Sequence, residues 1–151
     1  MGKKKPEGKV KAAGILIMTR GEEPEILLMK HHDRWDLPKG HCELNERYLE
    51  TALRETEEET GIQPDQIEID TEFRFKIEYP VKYKRWGNEV FTKKVKYFLG
   101  FIEKRAPLKL TEHAGAEWIK WSPPHEIQKQ TIDPLLQAVA DHLREIESSE
   151  S

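Results

Sequence analysis

The chain has 151 residues, of which 36% are hydrophobic, with a formal net charge of −3. That length and apolar content suit one globular domain over 1–151 with a modest core rather than two. No apolar run is long enough to cross a membrane and the start, Met1 to Lys11, is basic and polar; a single cysteine, Cys42, excludes an intrachain disulfide, and together these predict a reducing, cytoplasmic setting.

A tail over about 1–9 leads into Val10 to Thr19 and Glu25 to Lys30, which read as strands around a Gly21 to Pro24 turn. The next loop contains Trp35-Asp36-Leu37-Pro38-Lys39-Gly40-His41. From Asn45 or Glu46 to Thr60, Leu49, Ala52, Leu53 and Thr56 recur at helical steps, and Gly61 supplies a C-terminal stop. Segments near Ile67 to Tyr79, Val90 to Ile102 and Glu117 to Trp121 are strand-like, with Gly87-Asn88 a turn between the first two. Ser122-Pro123-Pro124 is expected to open a short helix. Asp133 before Pro134 starts a last one, with Leu135, Leu136, Val139, Leu143 and Ile146 as its buried stripe and a tail over about 147–151. Strands with two packed helices predict the α/β class: a mixed β-sheet between helical layers, an α/β/α sandwich.

The first helix carries the chemistry. Gly40, Glu46, Arg54, Glu55, Glu58, Glu59 and Gly61 spell G-x5-E-x7-R-E-x-x-E-E-x-G. On a helix Glu55, Glu58 and Glu59 share one face, away from Leu49 and Leu53. The run Glu57-Glu58-Glu59 includes no lysine or arginine to relieve its repulsion, so a cation is expected there. A set of oxygen donors suits Mg²⁺, with Mn²⁺ as a substitute, the remaining ligands coming from water and substrate phosphates. Glu57 and Glu50 read as solvated, and Cys42, with no triad around it, as incidental.

The stretch from Gly40 to Ile62 resembles the Nudix box, whose bearers hydrolyse a nucleoside diphosphate linked to another moiety; Thr56 stands where a fully aliphatic residue is usual. The resemblance implies metal binding by Glu55, Glu58 and Glu59 with the Gly40 carbonyl. It implies that Arg54 orients a glutamate through an ion pair, with Glu46 behind it. Trp35 to His41 is similar to the W-x-x-P-K-G-H stretch of the asymmetrically cleaving diadenosine tetraphosphate hydrolases. Lys94-Val95-Lys96-Tyr97-Phe98-Leu99, then Leu110-Thr111-Glu112-His113 and Trp118-Ile119, resemble that subfamily's later strands, with Ala116 where an aromatic is common in some members. On that resemblance Lys39 is expected on a phosphate and Tyr97 against adenine, with Trp35 and His41, and more weakly Phe73 and Tyr79, as further contacts. Glu112 is expected as an additional metal ligand or as the general base, a role that Glu55 could equally take. Read from the residues alone, Lys39 is equally a phosphate contact or an exposed loop lysine, Glu112 is an ordinary loop acid and Tyr97 is equally a core aromatic; His31 and His32 read as loop residues.

The charge is unevenly divided. Between Glu72 and Arg105, ten lysines and arginines face four glutamates, whereas the box is acidic. A basic wall opposite an acidic metal site suits a polyphosphate, although lysines guarding a hairpin edge or contacting RNA would give the same pattern. The resemblance, together with these residues, implies a Mg²⁺-dependent hydrolase of a small nucleotide, diadenosine tetraphosphate cleaved asymmetrically to ATP and AMP by water attack on phosphorus. The alternatives are an RNA 5′-pyrophosphohydrolase, a diphosphoinositol polyphosphate hydrolase and, from another class, a noncatalytic nucleotide-binding sensor. A monomer is the default expectation for the oligomeric state.

Overall fold

Strand β1 (Val10–Thr19) organises the molecule because it is apolar on both faces. Alternation sends Ala12, Leu16 and Met18 to one side and Ala13, Ile15 and Ile17 to the other, and all six are buried. Each face therefore requires its own cover. The computed structural model describes residues 9–31, 33–110 and 115–150. In it β7 (Val90–Ile102) runs parallel to β1, from Val10 opposite Lys93 to Thr19 opposite Ile102. The other neighbours are antiparallel: β2 (Glu25–Lys30) and β4 (Lys39–His41) share the far edge of β1, β3 (Trp35–Asp36) and β8 (Gly115–Lys120) pair with β2, and β5 (Glu68–Ile69) and β6 (Phe75–Lys82) pair with β7. Among the described residues the result is a mixed sheet of eight strands.

Helix α1 (Tyr48–Thr60) covers the Ala13 face, where Ala52 and Ile62 complete the apolar layer. Helix α2 (Ile132–Glu150) covers the other with Ile132, Leu135, Leu136 and Val139. This is the α/β/α sandwich that the pattern predicts.

The boundaries of β1, β2 and β7 agree with the sequence reading; others differ for local reasons. α1 begins at Tyr48 because Asn45, at φ 65°, sits in a turn closed by the Glu46 N–H on the Glu43 carbonyl. Its buried side is also rotated: Thr51, Ala52, Thr56 and Thr60 are buried while Leu49 and Leu53 are half-buried. The hydroxyls of Thr56 and Thr60 donate to the carbonyls one turn back, at 2.7 and 2.6 Å, so polar side chains fit the core without an orphaned group. The expected strand from Ile67 to Tyr79 divides, since the Asp70 carboxylate and carbonyl accept the N–H groups of Glu72 and Phe73 and turn the chain between β5 and β6.

No helix forms at Ser122 to Pro124, where two prolines remove successive donors; the Ser122 N–H instead meets Nε2 of His125 at 3.1 Å. α2 starts at Ile132, and Asp133 accepts the N–H groups of Ile127 and Gln128, tying down the preceding loop rather than capping its own helix. The helix carries on through Glu150, across the stretch that the sequence pattern assigns to a tail.

The approach of β4 to β1 depends on one contact. A Cβ on Gly14 would lie 2.7 Å from the Pro38 carbonyl oxygen and 2.8 Å from Lys39 Cβ, so only glycine lets β4 close on β1. β4 in turn is held against the acidic side of α1.

Candidate active site

Gly40 lies opposite Ala13, on the face that α1 covers. A Cβ there would stand 2.1 Å from Cδ of Glu55 and 2.3 and 2.6 Å from its two oxygens. The bare backbone is what admits the carboxylate. Next to it the Lys39 N–H donates to Oε2 of Glu59 at 2.9 Å, so one glutamate stitches the helix to the strand.

Arg54 gathers the remaining acids. Its Nε and Nη2 make a fork on Glu46 at 2.8 and 3.0 Å, Nη1 reaches Glu55 at 2.9 Å and Glu58 at 3.2 Å, and Nη2 also donates to the His41 carbonyl at 3.0 Å. Glu46 further accepts the Thr51 hydroxyl at 2.6 Å and the Glu43 N–H at 3.0 Å. Its Arg54 partner, then Thr51, pull its carboxyl down to about 2. A depressed carboxyl contributes stability above its unfolded value, near 4.3, that is lost as the pH falls through its folded value. The stability difference between wild type and Glu46→Gln should therefore be largest at pH 5 to 7 and shrink between about pH 4.5 and 2. Urea midpoints of both proteins across that range check it, and a difference independent of pH would refute the ion-pair account.

Two acids have the opposite perturbation. Burial raises the Glu55 carboxyl, against the pull of Arg54. Burial also pushes Glu59 up to about 7, with Glu55, Asp36 and Glu58 adding to it and the Lys39 N–H opposing. Glu59 has no cationic side chain at ion-pair distance among the described residues. A half-buried carboxylate lacking a counter-charge, a cradle that a Cβ would fill and an all-oxygen donor set together fit a hard divalent cation. Among the described residues no three carboxylates are gathered at ligand distance, and Glu55 and Glu58 are both paired with Arg54. Glu57 is exposed, as expected, and Glu112 lies outside the described residues.

The neighbouring positions on β4 point the other way. Lys39 projects to the α2 side, where its Nζ is 3.4 Å from Oδ2 of Asp36. A cleft of about 700 Å³ opens there, lined by Arg34, Asp36, Lys39, Tyr79, Lys93 and Gln128 among others. Burial and the nearby Lys39 hold the Lys93 ammonium below its ordinary value. Arg34, Asp36 and Lys93 are not among the site residues that the sequence reading names, although strand alternation would have separated Lys93 from its basic neighbours. A second cavity, of about 660 Å³ beside Trp121, Pro123 and Leu143, contains none of these groups.

The expected aromatic contacts are placed differently. Tyr97 is 1% exposed and belongs to the α2-side core, its ring against Phe75, so it presents no face to a base. Phe73 is likewise buried, against His142. Trp35 packs on the same core with the Lys30 ammonium 4.1 Å over its ring. The His41 side chain is exposed, and its carbonyl is what Arg54 uses. Of the aromatic candidates only Tyr79 lines the cleft. Cys42 is a free, half-buried thiol.

Residues 8–143 match the family model of the NUDIX domain. The chain is 34% identical over 122 residues to the mouse bis(5′-nucleosyl)-tetraphosphatase [asymmetrical], covering 73% of this chain and 78% of that one. It is 29% identical over 141 residues to an RNA pyrophosphohydrolase of Legionella pneumophila, covering 89% and 81%. Among solved structures, the binary complex of the C. elegans Ap4A hydrolase superposes with a TM-score of 0.75 at 28% identity, covering 89% of this chain and 98% of that chain.

Proposed function

Because the chain belongs to the NUDIX domain family, we propose that it is a divalent-metal-dependent hydrolase that cleaves diadenosine tetraphosphate asymmetrically into ATP and AMP. One observation carries the reading. Lys39 donates its N–H to Glu59 on the acidic side of β4 and sends its ammonium into the cation-lined cleft on the other. A polyphosphate lying along Arg34, Lys39 and Lys93 is thereby held in register with the carboxylates.

Glu55, Glu58, Glu59 and the Gly40 carbonyl would hold Mg²⁺ or Mn²⁺. When bound, such an ion neutralises phosphate charge and lowers the pKa of its water. Arg54, fixed by Glu46, which Thr51 in turn holds, orients Glu55 and Glu58. Glu55 or Glu112 accepts the proton of the attacking water. Arg34, Lys39 and Lys93 bind the phosphates, and Asp36 sets the position of the Lys39 ammonium. The setting is a reducing, cytoplasmic one.

The likeness to the Legionella protein over most of the chain favours, as a second reading, removal of pyrophosphate from an RNA 5′ end. Purified protein with Mg²⁺ and diadenosine tetraphosphate should give ATP and AMP in equal amounts by chromatography. Faster pyrophosphate release from triphosphorylated RNA, or phosphate release from a diphosphoinositol polyphosphate, would replace the substrate. Binding without turnover in either metal would make the chain a sensor.

A further inference from the structure

The basic stretch from Arg74 to Lys96 is two surfaces rather than one. Strand alternation turns Lys93 into the cleft, whereas Arg74, Lys76, Lys94 and Lys96 stand on the opposite, α1-side face of the β6–β7 ribbon. The sheet is notched beside them: β6 pairs with β7 up to Tyr97 and β5 takes over at Gly100. The notch opens a recess of about 320 Å³ lined by the four cations together with Phe73, Phe75, Tyr97 and Phe98.

These charges are not balanced. Lys76 lies directly across from Lys96, a like-charge pair that destabilises a sheet. The acid on this face, Glu78, is opposite Lys94, but its carboxylate is taken by Lys9 at 2.8 Å. Among the described residues Arg74, Lys76 and Lys94 have no acidic partner at ion-pair distance. Desolvation, then Lys76, Lys96 and Lys9, hold the Lys94 ammonium below its ordinary value. A multiply charged anion would relieve all four at once.

We propose that this recess is a second phosphate-binding site, for a short oligophosphate anion, on the opposite face of the sheet from the substrate cleft. A chain of phosphates can bridge Lys76 and Lys96 while the Arg74 fork takes a further oxygen pair. The aromatic faces nearby are occupied: Phe73 and Tyr97 are buried in the α2-side core, Phe75 packs against Tyr97, the Lys96 ammonium lies 4.3 Å over Tyr48, and Phe98 packs into the α1-side core. Nucleic-acid bases would therefore find no stacking platform.

The probe is tripolyphosphate, titrated into the metal-stripped full chain and followed by amide chemical shifts and thermal midpoint. Saturable shifts are expected at the amides of Arg74 to Lys76 and Lys94 to Phe98, with a rise in midpoint as the ligand binds the folded state. Lys76→Ala/Lys94→Ala should weaken this binding by about tenfold or more, whereas Lys39→Ala/Lys93→Ala, which strips the cleft, should retain it. Circular dichroism confirms that both variants fold. Unchanged affinity in Lys76→Ala/Lys94→Ala, or its loss only in Lys39→Ala/Lys93→Ala, would overturn the assignment. Tighter binding of a single-stranded oligonucleotide than of tripolyphosphate at equal salt would also overturn it, giving the recess to nucleic acid.

Discussion

Glu59→Gln should lose roughly two to three orders of magnitude in turnover and yet make the metal-free protein more stable. The two effects have one cause. Glu59 is the half-buried acid pushed up to about 7, well above the value near 4.3 of an unfolded glutamate. Between those values the folded state holds a proton that the unfolded state has released, so the metal-free protein loses stability as the pH rises through that window. Above pH 7 the ionised carboxylate costs, after discounting for solvent access, on the order of 1–2 kcal/mol. A glutamine keeps the shape and can still accept the Lys39 N–H, but carries no charge to bind a cation. Glu58 is more exposed and, among the described residues, held only by Arg54, so Glu58→Gln should lose comparable turnover without the stability gain. Turnover of the proposed substrate with Mg²⁺, beside urea midpoints with chelator at pH 5 and pH 8, separates these outcomes. Near-normal activity in both variants would remove the metal assignment, and a destabilised Glu59→Gln at pH 8 would contradict the burial argument.

Gly40→Ala should lower turnover by about a hundredfold or more while changing stability by no more than about 1 kcal/mol. The added methyl lands 2.1 Å from Cδ of Glu55, a separation that no pair of carbons tolerates. What it meets is the far end of a flexible side chain, so Glu55 can swing aside and the fold persists. The swing takes the carboxylate from its place between Arg54 and the strand, and Mg²⁺ affinity should fall with turnover. Calorimetric titration of Mg²⁺ tests this independently of substrate. Wild-type metal affinity and turnover in Gly40→Ala would show that the close approach of strand and helix has no functional part.

Much of this architecture is legible in the sequence because it depends on local order. The period of Leu135, Leu136 and Val139 sets the buried side of α2, and the doubly apolar run of β1 demands a layer on each face. The spacing of Arg54, Glu55, Glu58 and Glu59 puts those groups on one side of a helix wherever that helix sits. Side chains whose environment is made by distant segments are not legible in this way. Tyr97 alternates as either a ligand contact or a core ring would, and only the arrival of α2 from the end of the chain makes it core. Glu59 reads like Glu58 along the helix, but β4 buries Glu59, whose carboxyl is pushed up to about 7, and leaves Glu58 open.

By itself, then, the sequence determined the acidic helix, its glycine frame, the layered architecture and the family resemblance, because each depends on spacing along one strand or helix. The tertiary structure decided which acid lacks a counter-charge, that Arg54 reaches Glu46, Glu55 and Glu58 at once, and that one basic stretch faces two ways. Those outcomes depend on which segments, far apart in the chain, come within a few ångströms, and on the low dielectric that their meeting creates.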